Sequence, residues 1–293
     1  MYYRRKLMLA LIEAFGGKLK RTDCQKLLFL FCQAANKHHY DFFPYQFGAF
    51  SFVAYYDKKR LTEMGLLQSS DDFQLHSRQS YISQLTPSDN VVLRALQSRV
   101  GNLRGKELIR KTYLDYPHFA CRSKIASELL DPAELRQLKF AWNTDTTPCL
   151  FTLGYEGLTV DAFLNRLVTN NISAVMDVRN NPQSMKYGFS KKTLRHYIES
   201  PGMKYFHIPE LGIPSPLRKD LSTPTSYHKL FEKYESQIIP RQIEAVDRMK
   251  SLISEHSRVA LVCFESNHLF CHRHKLIEHL RKDRSFHTSI VHL

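Results

Sequence analysis

The run Val259-Ala-Leu-Val-Cys263 empties into Phe264 and Glu265, with Cys271, His272, Arg273 and His274 close behind. An unbroken apolar, β-branched run of this kind predicts a strand buried on both faces, which is the habit of parallel sheets. Ligands in such sheets meet the carboxyl ends of the strands. A thiol, a carboxylate, an imidazole and a guanidinium gathered there therefore point to an open α/β sheet with a site along its edge.

The rest of the second half fits that constraint. Strands are expected at residues 149–153, 173–178, 204–208, 259–263 and 288–292. Amphipathic stretches at 160–168, 191–199, 227–255 and 272–281 alternate with them, and Pro240 divides the long one. Alternation of strand and helix implies a parallel sheet covered on both faces, a Rossmann-like three-layer α/β domain over residues 149–293. The polar segment 144–148 marks its boundary, and 293 residues is long enough for a second domain before it.

That first half has a different texture. A helix from Arg4 to Phe15 is stopped by Gly16-Gly17, and a second, capped by Thr22 or Asp23, runs from Gln25. A third is expected over residues 51–65, followed by strands at 73–76 and 80–83 that pair as a hairpin. A further helix is capped by Thr86 or Ser88. Three helices and a hairpin are the order of a winged-helix-like domain, here residues 1–96, joined by a helical bridge, residues 97–148. Such a domain binds either DNA or a protein partner.

Lys and Arg total 42 against 28 Asp and Glu, a net charge of +14 that favours DNA or RNA as partner through phosphate contacts. The six scattered cysteines lack the dense spacing of a disulfide scaffold and read as reduced thiols. Glu13 cuts short the N-terminal apolar stretch, and no segment has the ~18 to 20 apolar residues of a membrane span. A cytoplasmic protein without membrane contact is expected.

Glu156, Asp177, Arg179, Cys263 and Glu265 follow three different strands and should converge along one edge of the sheet. Asp177 or Glu265 is the candidate to activate water or steady a developing cation, with Glu156 orienting the substrate. Tyr155, Arg179, Ser184, Cys271, His272 and Arg273 form the candidate substrate-binding set. In that set Arg273 and the free N–H groups of the following helix make an anion pocket. Cys263 is either a nucleophile or a packed strand thiol. Adjacent Cys271 and His272 do not match the paired spacing of structural zinc sites, so neither a metal nor a cofactor is expected. The Pro-rich loop from Pro209 through Lys219 to Asp220 is the candidate substrate lid.

Thr152 to Glu156, Asp177-Val-Arg179 with Pro182 and Ser184, Leu211-Gly212, and Cys263-x-Glu265 with Cys271-His272-Arg273 together resemble domain-of-unknown-function family 488. The resemblance runs from Cys149 to the end and implies a compact α/β domain with its site at these motifs. Residues 25–29, 44–51 and 61–67 are similar to the antitoxin-associated Panacea or SocA-like domain, with Gly48-Ala49 where that pattern has Gly-Pro. That likeness implies a role in prokaryotic toxin control or phage defence. The expected function is a nucleic-acid-binding enzyme hydrolysing a base or nucleotide bond, in the manner of a glycosylase or nuclease. The alternative is a non-catalytic DNA-binding regulator, or a toxin or antitoxin module, sensing an anionic ligand.

Overall fold

The computed structural model describes residues 1–76, 79–218 and 223–293, and divides into two units, Met1–Trp142 and Asn143–Leu293. The first is mainly helical: α1 (Tyr3–Ala14), β1 (Lys18–Leu19), α2 (Arg21–Ala35), β2 (Phe43–Tyr45), β3 (Gly48–Phe50), α3 (Phe52–Glu63), β4 (Phe73–Gln74), α4 (Pro87–Val100), α5 (Gly105–Asp115), α6 (Ala126–Leu129) and α7 (Pro132–Phe140). Residues 7–12 of α1 and 27–31 of α2 are fully buried, so these two helices form the centre and α4 and α5 pack on α2. Thr86 caps α4 as expected, with Pro87 in its first turn.

Three expectations for this unit are corrected. Neither Thr22 nor Asp23 caps α2, which starts at Arg21; Asp23 accepts the backbone N–H of Gly105 instead. Residues 80–83 are not a strand, because the Tyr81 and Ile82 N–H groups both donate to the Glu13 carboxylate (2.6 and 2.9 Å) and wind into a 3-10 turn on α1. Phe73, fully buried, pairs with Leu19 in the β1–β4 ladder rather than with that stretch. Among the described residues β2–β3 forms a hairpin between the second and third helices, and after α3 Leu67 bridges Leu75 antiparallel, so residues 66–68 rather than 80–83 are the partner of 73–76. Gly48, at φ +88°, turns that hairpin where a Cβ would fall 2.5 Å from Cε1 of Tyr113.

The second unit contains β5 (Cys149–Gly154), α8 (Val160–Thr169), β6 (Ala174–Asp177), α9 (Lys191–Glu199), β7 (Lys204–His207), α10 (Pro224–Lys233), α11 (Ile243–His256), β8 (Arg258–Cys263), α12 (Arg273–Arg281) and β9 (Ser289–His292). Its five strands are all parallel, in the order β7-β6-β8-β5-β9. β5, β6 and β8 are buried throughout, which explains their continuous apolar runs. A π turn at Tyr234–Ile238 and Pro240 separate α10 from α11.

The topology locates a crevice. Connections after β5 and β6 lead toward the β7 edge, whereas those after β7 and β8 lead toward the β9 edge. Right-handed crossovers then place α8 and α9 on one face and α11 and α12 on the other. In agreement, α11 and α12 share one core with Leu150, Ala174, Met176, Val259 and Leu261, one side of the sheet. Neighbouring strands β6 and β8 thus send their connections apart, and the gap beyond their carboxyl ends is a switch point. Register holds the ends level, with Asp177 beside Val262 and His207, and Gly154 beside Cys263.

Candidate active site

A cleft of about 280 Å³ lies at this switch point, lined by Tyr155, Arg179, the 180–185 loop, Ile213, Ser215, Arg218, Cys263, Phe264 and His272. Residues from the ends of β5, β6 and β8 meet there, together with the loop expected to act as a lid. Of that loop, Lys219 and Asp220 lie outside the described residues. Gly154 and Gly212 permit the convergence. A Cβ on Gly154 would sit 1.8 Å from the Glu265 carbonyl oxygen, and one on Gly212 would sit 2.1 Å from the Asn180 nitrogen.

Asp177 does not face the cleft. It is fully buried, and its carboxylate accepts from Arg179 N (3.2 Å), Nε (2.8 Å) and Nη2 (2.6 Å) and from the Tyr205 hydroxyl (2.7 Å). Four donors leave it no ready place for a water. Arg179, whose guanidinium the Asp177 carboxylate keeps charged against the cost of burial, also donates to the Tyr155 hydroxyl (2.9 Å) and the Phe189 carbonyl (2.8 Å). The pair is therefore a rigid wall, and Tyr205, which spacing did not single out, completes it from the adjacent strand.

The end of β8 is less saturated. One Glu265 oxygen receives Arg218 from the loop, while Oε2 accepts the Cys263 thiol at 3.3 Å. Burial, and then the neighbouring Cys271, raise the Glu265 carboxyl above its ordinary value against the pull of Arg218. Arg218 was visible in sequence only as one basic residue of a long loop; its meeting with Glu265 is a tertiary fact.

Behind Glu265 lie three buried groups. His272 donates from Nε2 to the Val178 carbonyl (3.0 Å); a carbonyl only accepts, so Nε2 carries the hydrogen and Nδ1 of the neutral ring is bare. That nitrogen faces both sulfurs, Cys263 Sγ at 3.8 Å and Cys271 Sγ at 3.9 Å. The Tyr234 ring, from the π turn, packs edge-on against the imidazole with centroids 5.5 Å apart and fixes its plane. Cys263 is pushed well above the usual thiol range, first by its hydrogen bond to Cys271 and then by burial and Glu265. Cys271, despite burial, is held well below that range by Cys263, His272 and Arg273, whose Nε lies 3.1 Å from its sulfur.

Two expected members stand apart. Arg273 is 1% exposed; its Nε donates to Cys271 and its Nη2 to the Glu265 carbonyl, its Nη1 is buried without a hydrogen-bond partner, and the His274 and Lys275 N–H groups of α12 bond to the Cys271 and His272 carbonyls. Those two N–H groups are thus not free to hold an anion, and Arg273 is not among the residues that line the cleft. Glu156 is exposed, and its carboxylate accepts from the backbone and hydroxyl of Ser266, both at 3.0 Å, away from the cleft lining. Ser184 and Tyr155 do line the cleft. Adjacent Cys271 and His272, the latter the N-cap of α12, nevertheless bring their Sγ and nitrogen donors within 4.8 Å of each other and of Cys263 Sγ.

Residues 159–280 match the family model described as domain of unknown function DUF488. The matched span opens at the Thr159 cap of α8 and closes within α12, taking in Asp177, Arg179, Cys263, Glu265, Cys271 and His272. Neither a curated protein nor a solved structure matches the chain. Among the described residues no helix is long and apolar enough to cross a membrane.

Proposed function

We propose that this chain is an enzyme that hydrolyses a base or nucleotide bond in DNA or RNA, with its chemistry in the cleft of the second unit. The observation that carries the reading is the place of Glu265. It is the strand-end carboxylate beside the cleft that is not surrounded by donors, standing between Arg218 and Cys263, both cleft-lining. Glu265 takes the proton of the attacking water as the hydroxide joins the carbon or phosphorus; the base leaves from the carbon, or a sugar oxygen from the phosphorus, and takes up a proton returned by Glu265 or drawn from solvent. Arg218 and the side chains of Asn180, Asn181, Gln183 and Ser184 supply donors for a phosphate-bearing substrate. Asp177 acts through Arg179, as a positioning residue. A net charge of +14 supports a polyanionic substrate.

The test is turnover on a panel of single- and double-stranded DNA, RNA and free nucleotides, comparing the parent with Glu265→Gln. A product formed by the parent and lost in the variant supports the reading; equal turnover by both sinks it. A second reading, a DNA-binding regulator or toxin–antitoxin module of prokaryotic defence, rests on the likeness of residues 25–29, 44–51 and 61–67 to Panacea or SocA-like domains. It predicts salt-dependent DNA binding, or a stable protein complex, by the full chain with no turnover of any panel member.

A further inference from the structure

The buried trio behind the cleft has the geometry of a metal centre. Among the described residues Cys263, Cys271 and His272 form a group whose donor atoms all lie within 4.8 Å of one another. In a tetrahedral zinc site, bonds of roughly 2.3 Å to sulfur and 2.0 Å to nitrogen separate an S and an N ligand by about 3.5 Å. The two S···Nδ1 separations here are 3.8 and 3.9 Å, so side-chain adjustments of a few tenths of an ångström would bring all three onto one ion. The same distances are poor for a thiol–imidazole hydrogen bond. Without an ion the donors available to His272 Nδ1 are these two thiols at the long end of hydrogen-bond reach.

The surroundings fit as well as the donors. The Val178 carbonyl fixes the imidazole in the tautomer that bares Nδ1, the usual outer contact of a ligating histidine. Arg273 places a cation 3.1 Å from Cys271 Sγ and so favours the thiolate that a metal requires. Two thiolates and an imidazole select a borderline-soft ion, and zinc suits them in any tetrahedral arrangement.

We propose that Cys263, Cys271 and His272 bind one Zn²⁺ through Sγ, Sγ and Nδ1, leaving a fourth position open toward the cleft that Cys263 and His272 line. Glu265 remains outside the ligand set, held by Arg218. Binding displaces the remaining thiol protons to solvent and leaves the thiolates unchanged in oxidation state. An open position on zinc can hold a water and lower its pKa, which would supply the nucleophile; that role rests on the function proposed above, whereas the binding itself does not.

The reduced full-length chain is analysed for metal as purified, then stripped and titrated with Zn²⁺ or Co²⁺ alone. One zinc per chain, and a thiolate-to-cobalt charge-transfer band saturating at one equivalent, are expected. Cys263→Ser, Cys271→Ser and His272→Ala should each weaken zinc by at least a hundredfold in competition with a chromophoric chelator, and Arg273→Met by roughly ten- to a hundredfold. Circular dichroism of the stripped variants separates loss of a ligand from loss of fold, and the cobalt band of the parent stands even where a variant fails to fold. Zinc retained by Glu265→Gln supports the open fourth position, and its loss there overturns it. A chain that takes up neither ion, or a Cys263→Ser/Cys271→Ser protein that keeps its zinc, overturns the site. Stoichiometric zinc without turnover defeats the hydrolase reading alone, and turnover that survives complete stripping defeats the zinc role alone.

Discussion

Two buried cations, one in each unit, meet opposite fates. Lys26 in α2 is 2% exposed, and its ammonium donates to the neutral Ala49 carbonyl at 2.8 Å; burial pushes it down to about 7. Arg179 after β6 is 4% exposed, yet Asp177 holds it in the charged form. Burial alone does not decide the outcome; the partner does. A cation given a carboxylate becomes a fixed strut, whereas one given only a dipole sits near neutrality. Glu265 falls between these cases, half-matched by Arg218, and that intermediate state leaves it available for chemistry.

Taking away the partner of Arg179 is the severest way to break this contrast. Asp177→Asn strands a guanidinium that cannot deprotonate, and a loss of about 3–5 kcal/mol in urea unfolding is expected. A change under 1 kcal/mol would show that the pair is not a strut. Glu265→Gln should act on the other side of the comparison, lowering turnover roughly a hundred- to ten-thousandfold while stability moves by less than about 1 kcal/mol. Loss of stability in step with activity would return Glu265 to a structural role.

Lys26→Met should raise stability by about 2 kcal/mol near neutral pH. The sign with pH follows from linkage. The folded-state value, about 7, lies below the unfolded value of 10.5, so between the two the unfolded chain binds more protons. Stability of the parent therefore rises with pH through that window, and the advantage of the variant, full below about pH 7, closes as pH approaches the upper limit. Parallel melting curves that never converge would contradict the assignment. The smallest effect is expected from Glu156→Gln, whose exposed carboxylate touches only Ser266 in the described contacts: within about 0.5 kcal/mol in stability and no change in turnover. A collapse in turnover would move the site toward β5.

The parallel sheet was legible because β5, β6 and β8 are buried on both faces, so their apolar runs have no competing explanation. The convergence of Tyr155, Arg179, Cys263 and His272 followed from that topology. What sequence did not carry was direction. Nothing in the order Asp177-Val-Arg179 tells that the arginine folds back and fills the carboxylate, and nothing in Cys271-His272 tells that the ring is held by Val178 with its free nitrogen toward both sulfurs. The change of partner for residues 73–76 has a similar cause. Residues 80–83 carry the β-prone pair Tyr81-Ile82, but the Glu13 carboxylate accepts both of their N–H groups and holds them in a turn.

At two places next to residues that line the cleft, main chain is pressed on main chain, Gly154 under Glu265 and Gly212 against Asn180. The aperture is consequently set by the peptide skeleton and is indifferent to most side-chain replacements around it. Exchanging lining residues such as Gln183, Ser215 or Phe264 should retune which molecule is accepted without resizing the mouth. That separation of gauge from taste makes this edge of the sheet a practical place to redirect selectivity.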